Sequence, residues 1–232
     1  MKSDIYKGQN PLELPLYTVT DASNFLHIPL GTVKNWTMGR RYKIKAGQSS
    51  FKPIVPVQQG KLSFLQLIEV HILRALRKVH QVKIDSVRKA IRYAEKELNI
   101  ERLLLSKELL ASGGDLFVER YGKLISLNKS GQIALKEILK DYLERVDRNA
   151  QDIPIRLYPY VSHESNENRQ IVIDPRISFG YPTLRGTGIK TSVIVSRIDA
   201  GESVEEVAAD YELDAGQVKS AVVYEQTYKQ AA

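Results

Sequence analysis

The chain of 232 residues contains no cysteine. That absence excludes disulfides, thiolate zinc sites and a cysteine nucleophile. It also lacks any run of about 18 uncharged apolar residues, the minimum for a membrane-spanning helix. Its start, Met1-Lys2-Ser3-Asp4, has no apolar signal core. A cytoplasmic protein without a membrane span is therefore expected. Histidine is scarce, and His27, His71, His80 and His163 are scattered. His71 and His80 do not stand at the i, i+4 spacing of paired metal ligands, and read instead as partly buried or capping groups. No carboxylate pair sits beside a plausible nucleophile at triad-like or metal-like spacing. No catalytic residue, metal site or cofactor is expected, and the chain does not read as an enzyme.

What is present is an ordinary globular composition, 43% hydrophobic, with an uneven charge. The length suits one large domain or two to three small ones. Of the net +7, residues 1–60 carry +5, residues 61–147 another +5, and residues 148–232 carry −3. Basic segments attract polyanions and gain affinity by releasing counterions, whereas an acidic segment is repelled by DNA and suits a protein partner.

Residues Tyr17 to Trp36 have the spacing of two short helices at a tight turn. Val19, Ala22, Phe25 and Leu26 share one helical face, with Thr20 or Asp21 placed to cap it. Ile28 closes the turn. In a second helix Leu30, Val33 and Trp36 pack inward and leave Thr32, Lys34 and Asn35 outward. Asn can make two hydrogen bonds to the major-groove edge of adenine, Lys reaches guanine or phosphate, and Thr contacts base or backbone. The same spacing also fits a plain pair of packed helices. Next comes Met38-Gly39-Arg40-Arg41-Tyr42-Lys43-Ile44-Lys45, whose period-two alternation puts Arg41, Lys43 and Lys45 on one strand face and turns Tyr42 and Ile44 to the core. This is a candidate wing along a phosphate backbone, or a solvated basic hairpin. From Leu62 to Val79 apolar residues recur near 3.6 and alternate with Glu69, Arg74, Arg77 and Lys78, an amphipathic helix. A break follows at Val82 to Ser86, with Asp85 as cap, and a further helix runs to Asn99.

In that order of elements, residues 15–100 resemble the DNA-binding domain of MerR-type regulators. The resemblance implies a second helix in the major groove and a wing gripping the flanking backbone. Carried across, Thr32, Lys34 and Asn35 face the groove, and Arg40, Arg41 and Lys43 are wing contacts. This chain departs late in the reading helix, where Lys34-Asn35-Trp36 replaces the family's cationic and aromatic pair, so base preference does not transfer.

Between Glu101 and Ala150, Leu116 to Arg120 and Leu124 to Leu127 flank a Tyr121-Gly122-Lys123 tip and predict a β-hairpin. A helix should follow from Lys129 to about Arg148, with Ile133, Leu135, Ile138, Leu139, Tyr142, Leu143 and Val146 inward. It suits either a homodimer seam or a connector packed on its own chain. Residues 162–170 read as a polar loop between the extended stretches 153–158 and 170–174, the tip of a ribbon. Beyond Asp174, Gly180, Pro182, Gly186 and Gly188 pin a tight loop, Thr191 caps a helix to Ala200, and Gly201 ends it. Ser203 to Glu206 is a capping box, and Asp214 starts the last helix. The glycine loop lacks the lysine-serine ending of a phosphate-binding P-loop.

Residues 153–228 resemble the small domain of VapB-type antitoxins bearing a G-x-P-x-[IL]-R-G-T-G-I motif. The match is carried by Gly180, Pro182, Leu184, Arg185, Gly186, Thr187, Gly188, Ile189 and the run Ala200 to Ser203. Many members have arginine where this chain has Gly188, so a contact made there is absent or moved to Lys190. The resemblance implies a PIN-like ribonuclease toxin as partner. Such nucleases cluster carboxylates, for which Arg176 and Arg185 are the candidate cations.

The expected fold is mainly α with small β elements: a MerR-like winged helix-turn-helix domain over 1–100, a connector over 101–150, and a small helix-turn-helix-like C-terminal domain over 151–232 preceded by a β-ribbon. The expected function is that of a DNA-binding antitoxin, a homodimer on double-stranded DNA at its own operator. The competing expectation is a stand-alone regulator whose C-terminal domain senses a ligand or a different protein.

Overall fold

The computed structural model describes residues 6–44, 47–78, 84–99, 101–106, 109, 118–119, 129–159 and 169–229. Within them the protein is mainly helical, with four two-stranded antiparallel sheets. Helix α1 (Val19–Leu26) is capped by Thr18, not by Thr20 or Asp21. The Asp21 N–H donates to Thr18 Oγ1 (3.0 Å) and the Thr18 N–H to Asp21 Oδ2 (2.8 Å), so Asp21 is the far corner of a capping box. Strand β1 (Tyr17–Thr18) leads directly into the helix, and this moves the cap two or three residues earlier.

At the other end His27 takes φ +50° as the C-cap, which reverses the chain. The buried Ser23 locks that turn, its hydroxyl donating to the Ile28 carbonyl (2.6 Å) while the Ile28 N–H donates to the Ser23 carbonyl (3.0 Å). Helix α2 (Leu30–Thr37) then buries Val33 and Trp36.

Strands β2 (Arg40–Ile44) and β3 (Gly47–Phe51) form an antiparallel hairpin in which Arg40 pairs with Phe51. Gly39 bridges α2 and β2 at φ +76°, and a Cβ there would collide with the Phe51 carbonyl. The returning chain is stitched to α2, since the Ile54 and Val55 N–H groups both donate to the Trp36 carbonyl (2.8 and 3.1 Å). Strand β4 (Lys61–Leu62) pairs with β1, Tyr17 opposite Leu62.

Helix α3 (Phe64–Lys78) is more deeply enclosed than its amphipathic pattern predicts. Phe64, Leu67, Ile68, Val70, Ile72, Leu73, Ala75 and Leu76 are all buried, and so are Glu69 and His71. The helix is the axis about which the N-terminal core assembles. Arg74 Nη1 donates to the Leu26 carbonyl (2.5 Å), which fixes the end of α1 to it. Helix α4 (Ile84–Leu98) begins one residue before Asp85, which therefore lies in the first turn and is not the cap. There Asp85 pairs with Arg88 (3.1 Å) and Lys89 (3.2 Å).

Val118 and Glu119 are helical where a hairpin strand was expected, and Val118 is buried in the core. A short apolar run such as Leu116-Phe117-Val118 fits a buried helix as well as a strand, and packing decides. The rest of that hairpin reading lies outside the described residues, as do His80, His163 and residues 162–168 of the expected polar loop.

Helix α5 (Lys129–Leu143) stops before Arg148 because Val146 joins strand β5 (Val146–Arg148), paired with β6 (Pro154–Leu157). It buries Leu135, Leu139 and Tyr142, whereas Ile133 is 60% exposed. Ile133 falls about 200° from Leu135 on the helical wheel, off the buried stripe. The buried stripe meets α3 of the same chain, where the His71 and Tyr142 rings stack at 4.7 Å.

The C-terminal unit starts where Leu157 and Ile173 exchange N–H···O bonds (3.0 and 2.8 Å), closing the base of the expected ribbon. Strands β7 (Ile171–Val172) and β8 (Thr183–Leu184) lead to helices α6 (Thr191–Asp199), α7 (Val204–Asp210) and α8 (Ala215–Lys229). Lys190, not Thr191, is the N-cap residue of α6. The Thr191 hydroxyl instead donates to Glu225 on α8 (2.5 Å). The capping box at Ser203 and Glu206 forms as the sequence predicts, and Asp214 caps α8 with Gln217 in the reciprocal position. A second core, distinct from that around α3, gathers Ile171, Leu184, Ile194, Val207, Val218, Ala221 and Tyr224.

The two units meet at the C-terminal end of α1. The Tyr224 hydroxyl donates to the Phe25 carbonyl (2.8 Å), and its ring lies 4.6 Å from that of His27. Phe25 meets Tyr181 edge-on at 5.5 Å, and the Tyr6 hydroxyl donates to the Pro175 carbonyl. Gly180, at φ +74°, sits so close to Tyr17 that a Cβ would strike the phenol.

Candidate nucleic-acid interface

Helix α2 presents one continuous outer face. Gly31, Lys34, Asn35 and Met38 are exposed, at the i, i+3, i+4, i+7 spacing of a single stripe, and Thr32 lies half-buried at its edge. Lys34 and Asn35 are thus placed as the sequence predicts, Thr32 is more peripheral, and Gly31 and Met38 complete the face. Met38 is 57% exposed. The same helical spacing, counted outward from Gly31, would have found both. Among the described residues nothing beyond its own helix lies within 4 Å of a Cβ position at Gly31. The open N-terminal half of the helix can therefore approach a partner closely.

Rigidity comes from behind. Val33 and Trp36 are buried, the Trp36 carbonyl is held by the chain returning from the hairpin, and the preceding turn is locked by Ser23. A side chain on such a scaffold loses less conformational entropy on docking than one on a free loop. Arg40 is exposed where α2 gives way to the hairpin, five residues beyond the exposed Asn35. The backbone of Arg41 and Lys43 lies in β2. Their side chains, and Lys45 altogether, lie outside the described residues.

A further basic surface adjoins the hairpin and had not been singled out in the sequence. Buried Arg88 on α4 lies over the Phe51 ring at 5.3 Å, tying α4 to the end of β3. From there Lys89, Arg92 and Lys96 are exposed along the outer side of α4.

The turn between α1 and α2 holds an unusual group. His27 is 5% exposed, and neither ring nitrogen has a hydrogen-bond partner among the described residues. Burial first, and then the neighbouring Arg74 charge, lower its pKa to about 4. The imidazole is neutral at pH 7 and serves as a packing surface for Tyr224. The Tyr224 hydroxyl itself is pushed well up by burial and then by Glu225.

Arg176 and Arg185 lie in the C-terminal unit, apart from the α2 face. Arg176 Nε approaches the buried Asp174 carboxylate (3.4 Å), and Arg185 is exposed with its guanidinium 5.7 Å from the Tyr158 ring centroid. Among the described residues no group of His, Cys, Asp or Glu is arranged to hold a metal, and no helix is long and apolar enough to cross a membrane.

Comparison with known proteins matches both units. Residues 15–91 match a family described as "Putative DNA-binding HTH domain", and residues 171–224 match "Protein of unknown function (DUF433)". Over 241 residues the chain is 27% identical to a Mycobacterium tuberculosis protein named "Putative antitoxin VapB45", with 93% of this chain and 97% of the relative covered. It is 24% identical over 229 residues to "Uncharacterized protein Rv2308" of the same organism, covering 95% and 94%. The crystal structure of Rv2018 from M. tuberculosis superposes with a TM-score of 0.67 at 21% identity, over 92% of this chain and 99% of that one. The fold is therefore shared along nearly the whole chain, and the N-terminal unit is a helix-turn-helix domain.

Proposed function

We propose that this protein is a DNA-binding antitoxin. The observation that carries the reading is the exposed Lys34-Asn35 face of α2, backed by a buried scaffold and followed by Arg40 and a basic hairpin. Similarity over nearly the whole length to a protein named as an antitoxin supports the same reading. In it, residues 1–100 act as a MerR-like winged helix-turn-helix. Lys34 and Asn35 enter the major groove with Thr32 at the margin, and Arg40, Arg41, Lys43 and Lys45 lie along the flanking phosphates. The chain works as a homodimer, whose two-fold axis matches two operator half-sites. Residues 101–150 connect to the C-terminal domain over 151–232. That domain takes up a PIN-like ribonuclease, presenting Arg176 and Arg185 to its clustered carboxylates, and the chain itself catalyses nothing. Both encounters take place in the cytoplasm.

Two measurements test the halves separately. A fragment from upstream of the gene should be retarded by purified protein at low ionic strength, with affinity falling steeply as salt rises. The product of the neighbouring gene should copurify and lose its ribonuclease activity in the complex. Absence of a shifted band rejects the DNA half, and an uninhibited nuclease rejects the toxin half.

A further inference from the structure

The C-terminal unit gathers its arginines although the segment 148–232 is acidic overall, at −3. Asp174, 2% exposed and two residues beyond β7, accepts from Arg156 Nε (3.0 Å) on one oxygen. Its other oxygen faces Arg176 Nε (3.4 Å) and accepts from the Arg176 backbone N–H (2.9 Å). The guanidinium-bearing side chains are 43% and 51% exposed. Each arginine thus spends its inner Nε on the buried carboxylate. Arg176 keeps both Nη groups without a partner among the described residues, and Arg156 has only a distant approach to Asp147 (3.9 Å).

A second pair sits beside the first. Tyr158 directly follows β6, and its hydroxyl donates to Asp147 (2.8 Å), the carboxylate that Arg156 Nη1 also approaches (3.9 Å). The guanidiniums of Arg169 and Arg185 lie 5.6 and 5.7 Å from its ring centroid.

We infer that Arg156, Arg169, Arg176 and Arg185 form one anion-reading cradle, that Asp174 and Tyr158 are its positioning residues, and that it receives a carboxylate-rich protein surface. The inference rests on the antitoxin reading for the identity of that partner and on the geometry for everything else. A fully committed ion pair would also bring its Nη groups onto the carboxylate, whereas here only the Nε of each arginine donates to Asp174, and the half-exposed guanidiniums retain Nη capacity for bidentate carboxylates. Several separated guanidiniums match several separated carboxylates. A nucleic-acid backbone, charged along its whole length, would also meet the acidic remainder of the domain, which repels it.

The sign of one mutation tests the positioning role. Full-length protein is titrated with a labelled hexa-aspartate peptide, and binding is followed through the Nε–Hε NMR signals of Arg156 and Arg176, which separates this site from the basic N-terminal unit. If the cradle were only a cloud of positive charge, Asp174→Asn would make it more positive and tighten binding. Positioning requires the reverse, a loss of about fivefold or more. Arg156→Lys keeps the charge and gives up the fork, and should weaken the peptide to a similar degree; it covers the case in which the Asp174 variant does not fold. Tighter binding by Asp174→Asn, or unchanged binding by Arg156→Lys, overturns the inference. So does displacement of the peptide by inorganic phosphate or a 12-nucleotide single strand at lower concentration than the peptide itself. A normal peptide response together with an uninhibited neighbouring nuclease would leave the cradle standing and reject the antitoxin reading.

Discussion

His27 makes the stability of this protein depend on pH in a calculable way. The imidazole is buried between the α1–α2 turn, Tyr224 and Arg74, and its pKa falls from 6.5 in the unfolded chain to about 4 in the fold. Between those values the unfolded state binds the additional proton. The native state is therefore unpenalised above pH 6.5, is progressively destabilised as pH falls below it, and reaches its full penalty near pH 4. At 1.36 kcal/mol per unit, the shift corresponds to about 3 kcal/mol, an order-of-magnitude figure. Carboxylates titrate over the same range, so the effect must be isolated by a variant. His27 stands at φ +50° as a helix C-cap, a conformation that asparagine tolerates better than most residues, and His27→Asn removes the proton site without forcing the backbone. Urea unfolding of both proteins from pH 7.5 to pH 4 should give a constant difference above pH 6.5. Below it, the difference should move by about 3 kcal/mol in favour of the variant. Parallel stability curves across the whole range would show that the imidazole is hydrated or paired in solution, and would refute the account of this interface.

Asn35→Ala should cost about 1–3 kcal/mol of discrimination between operator and unrelated duplex. Arg41→Ala should instead weaken all sequences and reduce the salt slope by about one, and wild-type behaviour from both variants in salt-dependent band shifts would exclude the proposed docking. Gly180→Ala drives a methyl into the Tyr17 phenol at a positive φ, so it should unfold the junction at markedly lower temperature. Gly186→Ala, equally at positive φ but with nothing within 4 Å, should cost only the conformational penalty of about 1–2 kcal/mol, a contrast that thermal melts will read. Arg102→Met strands buried Glu69, whose carboxyl burial already pushes up despite its bond to Arg102 (2.7 Å). Arg102 is over a third exposed, so the loss in urea unfolding should be about 2 kcal/mol, below the 3–5 of a fully enclosed pair, and Glu69→Gln in the same chain should restore part of it.

Much of the fold was legible because local chemistry and the final packing agree. The Ser203-Glu206 capping box, the apolar faces of α1 and α2, and the outward Lys34 and Asn35 are all local patterns that survive in the folded chain. Where reading failed, a distant partner had intervened. Ile133 looked like a core residue until α5 settled its Leu135-Leu139-Tyr142 stripe on α3, and Thr191 looked like a cap until Glu225 took its hydroxyl. The expected continuation of α5 to Arg148 was lost to strand pairing between Val146 and Leu157.

The sequence by itself determined two segments of opposite charge, the helix-turn-helix and the outward stripe of Lys34 and Asn35, because helix spacing, caps and net charge depend only on residues near one another in the chain. Tertiary structure alone decided that α3 is enclosed on nearly all sides, that Tyr224 closes on His27 and Phe25 almost two hundred residues away, and that Asp174 collects Arg156 and Arg176. Each of those contacts joins side chains whose meeting depends on loop closure and core packing, and no periodicity along the chain encodes the distance between them.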